Sequence, residues 1–158
     1  ADWRPAGGVM GFIAPHLSLP VTAFAGRSQQ LGGGSRLGIG WQSADSARFA
    51  SLRLTTDGMP GGREAGGDLF AYGIALAAGT EVAAAPRWSL ASWGGVGWSM
   101  ATGAGGAAHD GLEVSAGFAV MRRARMRHIH TGVELSGAWM FEPQGLVLRI
   151  GPMIRWRQ

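Results

Sequence analysis

"LVLRIGPMIRWRQ", residues 146–158, changes chemistry at every step. Leu146, Leu148, Ile150, Pro152, Ile154 and Trp156 share one parity; Val147, Arg149, Gly151, Met153, Arg155 and Arg157 share the other. A period of two is the mark of a β-strand, whose successive side chains point to opposite faces. Here one face is wholly apolar and the other is small or cationic. A strand divided in this way separates two media, and the fold follows from deciding which face meets which.

The same rhythm recurs along the chain, and helical periodicity is nearly missing. Seven further segments alternate. The first lies within 9–26 (Val9, Ile13, Leu17, Leu19, Val21, Ala23). The second is 36–43 (Leu37, Ile39, Trp41) and the third 47–56 (Ala50, Leu52, Leu54). The fourth is 68–78 (Phe70, Tyr72, Ile74, Leu76) and the fifth 87–100 (Trp88, Leu90, Val96, Trp98, Met100). The sixth is 111–122 (Leu112, Val114, Ala116, Phe118, Val120) and the seventh 128–141 (Ile129, Val133, Leu135, Trp139, Phe141). Turn signals separate them: "QQLGGGS", "SADS", "TTDGMPGGREAGG", "ATGAGGAAHD" and "EPQG". The spacing predicts eight strands and an all-β fold.

The totals agree. With 158 residues the chain is long enough for one barrel domain spanning 1–158, residues 1–8 forming a lead-in. Charged residues are 15% and apolar residues 46%, a composition that argues against disorder. No apolar run reaches the roughly 18 residues a membrane-spanning helix needs. A start at Ala1-Asp2-Trp3 fits a removed signal peptide and equally a trimmed chain. Cysteine is absent, so the redox compartment is not legible. All 14 basic residues are arginine, in keeping with a base-composition bias. The sequence pI near 11.2 invites a nucleic-acid reading. That reading is set aside, because no basic helix, aromatic-basic platform or zinc spacing accompanies the charge.

The second face decides between a soluble barrel and a membrane barrel. It carries Gly38, Gly40, Ala71, Gly73, Ala75, Ala91, Gly95, Gly97, Ser115, Gly117, Gly132, Ser136 and Gly151. A solvated sheet face normally carries larger polar residues that favour strands. Small residues suit the crowded inside of a narrow barrel. Arg53, Glu113, Glu134, Arg149 and Arg155 lie on the same face and can pair there. The apolar face therefore points outward, which only lipid makes favourable.

Aromatic placement tests this. With both chain ends on the periplasmic side, Trp41, Trp88 and Trp156 fall at the lower rim. Phe70, Tyr72, Trp98, Trp139 and Phe141 fall at the upper rim. Trp88 and Trp98 stand ten residues apart on one strand. At a tilt near 45° that is roughly 23 Å of height, close to the apolar band of such barrels.

On these residues the chain resembles the small eight-stranded outer-membrane barrels of the OmpA transmembrane-domain and OmpX type, over essentially its whole length. The resemblance implies an eight-stranded antiparallel up-and-down transmembrane β-barrel in the outer membrane of a Gram-negative bacterium. It also implies that the terminal alternation acts as an assembly signal for the barrel-insertion machinery. The pattern departs in one respect: Trp156 is followed by Arg157-Gln158.

Several residues invite a chemical reading. Glu113, Glu134, Arg149 and Arg155 are expected to form an interior polar network. Arg149 is placed opposite Ala138 with Glu113 in the same row. Arg157 is expected in water at the rim. Eight strands leave little lumen for a conducting pore. "RRARMRHIH", 122–130, sets Arg122, Arg123, Arg125 and Arg127 at a periplasmic turn. With Arg155 and Arg157 they predict a basic rim that snorkels toward anionic lipid headgroups or docks an acidic envelope partner. His128 and His130 share a strand face, a spacing that can bind metal, but no third ligand is evident. No metal or other cofactor is expected. His109 and Asp110, with Ser28 and Ser99 in possible reach, are the one catalytic-looking group on the outer side. The precedent is the eight-stranded lipid A acyltransferases and deacylases, whose motifs do not align here. "HIHTG" matches the deacylase His-x-Ser pattern only in part. Pro15, Pro20 and Pro152 lie where the first and last strands must meet, which predicts a weakly bonded seam there. The reading is a non-enzymatic envelope or interaction barrel contacting outer-membrane lipids. The alternative is a lipid A acyl-modifying enzyme with lateral lipid access.

Overall fold

The alternation builds eight strands: β1 Gly8–Pro20, β2 Gly32–Gln42, β3 Arg48–Met59, β4 Leu69–Ala85, β5 Trp88–Thr102, β6 Ala108–Arg123, β7 Ile129–Phe141 and β8 Gln144–Arg157. Each pairs antiparallel with its chain neighbour, and β8 returns to β1 to close the barrel. The structure, a computed structural model, describes residues 7–24, 28–44, 47–61, 67–103, 108–126, 128–142 and 144–158. Residues 1–6 of the expected lead-in, and Arg127, lie outside them. We call the end holding Gly8 and Arg157 the lower end.

The division of faces is that of a barrel with its apolar side outward. Leu76, Ile39 and Trp41 are 67%, 60% and 60% exposed, and Leu17, Leu54, Val96, Val133 and Ile150 are exposed as well. Inside lies a filled core in tiers. A lower apolar cluster contains Met10, Phe12, Phe49, Trp93, Met121 and Met153. An upper one contains Phe24, Met59, Leu69, Met140 and Val147. Buried polar groups occupy the levels between and below them. Water never faces the outer wall in such an arrangement without a large hydrophobic cost, so the wall belongs in hydrocarbon.

Several strands outrun the expected limits, among them β2, which begins at Gly32 rather than at 36. β3 continues to Met59 and β4 to Ala85. The stretch Thr55-Thr56-Asp57-Gly58 holds turn-favouring residues. Yet Asp57 stands between Gly34 of β2 and Ala71 of β4, and pairing on both sides overrides the local preference. β6 likewise begins at Ala108, three residues before the expected limit.

At the seam, β1 runs unbroken through Pro15 and ends at Pro20. Paired positions run from Met10–Arg157 to Ile13–Ile154 and resume from Leu17–Ile150 to Pro20–Val147. The register is the same on both sides of the interruption, so Pro15 stands opposite Pro152. Neither has an N–H, which explains the missing rungs. The backbones nevertheless stay close, since a Cβ on Gly151 would lie 2.0 Å from the Pro15 carbonyl oxygen. Outside this point is a groove of about 580 Å³ lined by Pro15, His16, Leu17, Gly34, Val133, Ile150, Gly151 and Pro152. Lower on the seam, the Trp156 ring covers Gly11, where any Cβ would collide with it.

Candidate functional site

The chemistry-bearing side chains are gathered inside the barrel by parity. In the upper half, Asp57 of β3 is the centre. Arg149 of β8 donates to both its carboxylate oxygens, at 3.1 Å from Nε and 2.7 Å from Nη2. Ser18 Oγ donates to Asp57 Oδ1 at 2.6 Å, and His16 Nε2 lies 2.9 Å from the same oxygen. Glu113 Oε1 stands 3.9 Å from Arg149 Nη1. A two-pronged guanidinium–carboxylate pair with every lone pair engaged is the geometry in which a buried charge is tolerated.

Glu134 of β7 organises the middle. It forms an ion pair with Arg36, lies 3.9 Å from Arg53 Nη1, and accepts from Trp93 Nε1 at 3.2 Å. The Arg53 and Arg36 guanidiniums lie 3.8 Å and 4.8 Å from the Trp93 ring centroid, a cation–π arrangement that desolvation strengthens. At the lower end Glu81 of β4 is fully buried. It accepts from Arg155 Nη1 at 2.7 Å, Ser89 Oγ at 2.6 Å and Gln42 Nε2 at 3.2 Å, and pairs with Arg157.

Three expectations about this interior are corrected. Arg149 stands opposite Ser136, and Ala138 opposite Val147. The reason is a tighter β7–β8 hairpin, in which Phe141 already pairs with Gln144. Glu113 pairs across with Met140, outside the row of Arg149, and the main partner of Arg149 is Asp57. Arg157 is buried against Glu81 rather than immersed at the rim, because β4 extends far enough to bring a carboxylate down to it.

Sequence reasoning missed Asp57, His16, Ser18, Arg36, Gln42 and Glu81. The signal was present in parity. Asp57 follows Arg53 and Thr55 at every second position, and Glu81 follows Ala71, Gly73, Ala75 and Gly79. Both lie where Gly- or Ala-rich sequence reads as the end of a strand.

The aromatic residues sort by strand end. Trp41, Trp88 and Trp156 lie near the lower ends of β2, β5 and β8, exposed outward. Phe70, Tyr72, Trp98 and Phe141 are exposed near the upper ends, with Trp139 half-buried beside them. At the outer rim, His109 is exposed and paired across with Ala101. The Asp110 carboxylate accepts from Trp98 Nε1 at 2.9 Å. Ser99 Oγ is buried without a hydrogen-bond partner, and Ser28 is exposed. Among the described residues, then, no serine is hydrogen-bonded to His109, and Asp110 serves an indole.

At the lower rim His128 precedes β7 in an exposed turn, where its carbonyl accepts from Arg157 N–H at 2.9 Å, while His130 points inward and is buried. The two histidines therefore do not share a strand face as expected, because β7 starts only at Ile129. Among the described residues no three His, Cys, Asp or Glu side chains gather as metal ligands. Arg122 lies 5.6 Å from the Trp88 ring centroid.

Comparison with solved structures places this geometry. The structure of neisserial surface protein A superposes with a TM-score of 0.70 at 10% identity, covering 99% of this chain and 100% of that one. Eight strands with their apolar side outward make a transmembrane barrel. A de novo designed transmembrane β-barrel matches at TM-score 0.55 and 8% identity, over 99% of this chain and 100% of the design. Ail of Yersinia pestis, the attachment invasion locus protein solved with the heparin analogue sucrose octasulfate, matches at TM-score 0.54 and 14% identity, over 95% and 99% of the two chains. No protein-family model and no curated protein matches the sequence. That a designed chain shares the shape at 8% identity fits a fold set by alternation and barrel closure more than by particular residues.

Proposed function

We propose that this chain is an integral outer-membrane barrel of a Gram-negative envelope, with a structural or interaction role and no catalysis of its own. The observation that carries the reading is the pairing of an apolar outer wall with a filled interior. Arg149 and Arg155 are 2% exposed, and each is paired with a buried carboxylate, Asp57 and Glu81 respectively. A wall of this kind requires a bilayer, and closed barrels are the β-structures that satisfy their backbone there. Among the described residues, the interior polar side chains are buried rather than solvated. The function is then carried by the rims and by the lipid-facing wall. Two structural neighbours bear the names of a surface protein and an attachment protein, which supports an interaction role at the level of class.

The test is fractionation of cells expressing the chain behind an added export signal. The barrel is expected in the outer-membrane fraction, migrating faster on gels when unheated than when boiled. Recovery in the soluble or inner-membrane fraction as a folded protein would contradict the reading. For the enzyme alternative, incubation of the reconstituted barrel with lipid A should leave its acyl chains unchanged; an altered acyl pattern abolished by His109→Ala would instead establish catalysis.

A further inference from the structure

We propose that the lower rim carries a binding cleft for a phosphate group, built from the β4–β5 and β6–β7 turns. This rests on the barrel reading above. The cleft has a volume of about 400 Å³ and is lined by Pro86, Arg87, Arg123, Ala124 and Arg125. Three of its five lining residues are arginines, and none is acidic.

That imbalance sets the site apart. Inside the barrel Arg36, Arg149, Arg155 and Arg157 each meet a carboxylate. Among the described residues, no carboxylate pairs with Arg87, Arg123 or Arg125. The cleft thus concentrates positive charge that the chain leaves unbalanced. Planar guanidinium forks match the oxygens of a phosphate two at a time.

The backbone beneath them is already ordered. Arg123 N–H donates to the Arg87 carbonyl at 2.9 Å, which fastens one turn to the other. Ala124 N–H donates to Ile129 O at 2.9 Å, and Ile129 N–H to Met126 O at 3.1 Å. Pro86 presets the φ angle of the tight turn between Ala85 and Trp88. A pre-ordered cleft loses less freedom when a ligand arrives.

Its height fixes the ligand class further. Arg87 precedes Trp88, whose outward indole marks the headgroup level of the lower leaflet. Arg122 stacks above that ring. The cleft lies on the water side of this girdle, at the depth where phosphodiesters sit. Leu90 and Val120, outward on β5 and β6, offer an apolar track above it. The phosphate therefore comes either from an anionic lipid headgroup or from a soluble phosphate compound.

The experiment uses the whole chain in nanodiscs. In one arm the discs contain phosphatidylcholine with phosphatidylglycerol, and native mass spectrometry counts retained phosphatidylglycerol. In the other the discs are pure phosphatidylcholine, and calorimetry follows inorganic pyrophosphate. Wild type is compared with R87Q/R123Q/R125Q, with Arg125→Gln, and with Arg48→Gln, a single-charge change at an exposed residue of the same rim. Wild type is expected to hold at least one probe, the arm that responds naming the source. The triple variant should bind on the order of tenfold more weakly or worse, and Arg48→Gln should match wild type. Should the triple variant not fold, Arg125→Gln alone is read and should still weaken binding several-fold.

Equal binding by wild type and triple variant, equal loss in Arg48→Gln, or no binding in either arm overturns the cleft while leaving the barrel reading intact. So does a poly-glutamate peptide that binds through these arginines when neither phosphate probe does, an outcome pointing to an acidic protein segment. Failure of the wild-type chain to form a barrel in any nanodisc overturns both.

Discussion

Arg149 of the last strand grips both carboxylate oxygens of Asp57 of the third, across the inside of the barrel. These residues lie 92 positions apart in sequence. Their pairing ties the closing strand to the wall facing it, in addition to the hydrogen-bonded ladders. Arg149→Leu leaves a buried Asp57 with only His16 and Ser18, and should cost about 3–5 kcal/mol. The double variant Asp57→Leu/Arg149→Leu should lose markedly less than the two single changes summed. Reversible urea unfolding in lipid vesicles measures the cycle; additive losses would show that the pair is not coupled.

Arg157 allows a sharper comparison at the lower end. Glu81→Gln removes the carboxylate shared by Arg155 and Arg157 and leaves two buried cations facing each other. It is expected to destabilise the barrel more than Arg157→Gln, which leaves Glu81 its contacts with Arg155, Ser89 and Gln42. The same unfolding assay decides, and the reverse order would contradict the placement of Glu81.

The proline pair gives a test of register. If Pro15 stands opposite Pro152, then in Pro152→Val the new amide should point at the Pro15 carbonyl and resist exchange like its strand neighbours. Its hydrogen bond adds roughly 1 kcal/mol, offset by a similar loss because the unfolded chain becomes freer. The expected stability change is therefore near zero. Deuterium exchange followed by NMR reads that single amide, and rapid exchange there would mean the strands are shifted.

Gly11→Val should be costly for a different reason. A side chain at that position collides with the Trp156 ring lying across it. Displacing the ring opens the lower seam, at a cost of about 1–3 kcal/mol typical of overpacking. Gly94→Ala, where a Cβ meets only Ser115 O at 3.9 Å, is the mild control. Equal effects of the two would remove Trp156 from any role at the seam.

Strand number, the orientation of the faces and the aromatic sorting were legible in the sequence, because alternation reports directly on which medium each face meets. Polar partners were less legible. Arg149 could be assigned to the interior from its own strand, but its partner Asp57 lies in a stretch whose Asp, Gly and Pro read as turn. Only pairing with β2 and β4 keeps that stretch extended. Arg157 shares the parity of Arg149 and Arg155, yet its burial depends on Glu81, carried down by a β4 longer than its apolar pattern. Register across the β7–β8 hairpin depended on a turn whose length composition does not fix.

The most direct test of the central claim is a nitroxide scan of β4 in lipid vesicles, one cysteine at a time, made simple by the absence of native cysteine. Collision with dissolved oxygen, which concentrates in hydrocarbon, should rise and fall with a period of two. It should be high at Phe70, Tyr72, Ile74 and Leu76 and low at Ala71, Gly73, Ala75 and Ala77. Loss of that alternation, or contact of Ile74 and Leu76 with a water-soluble relaxation agent, would contradict a barrel whose apolar wall faces lipid.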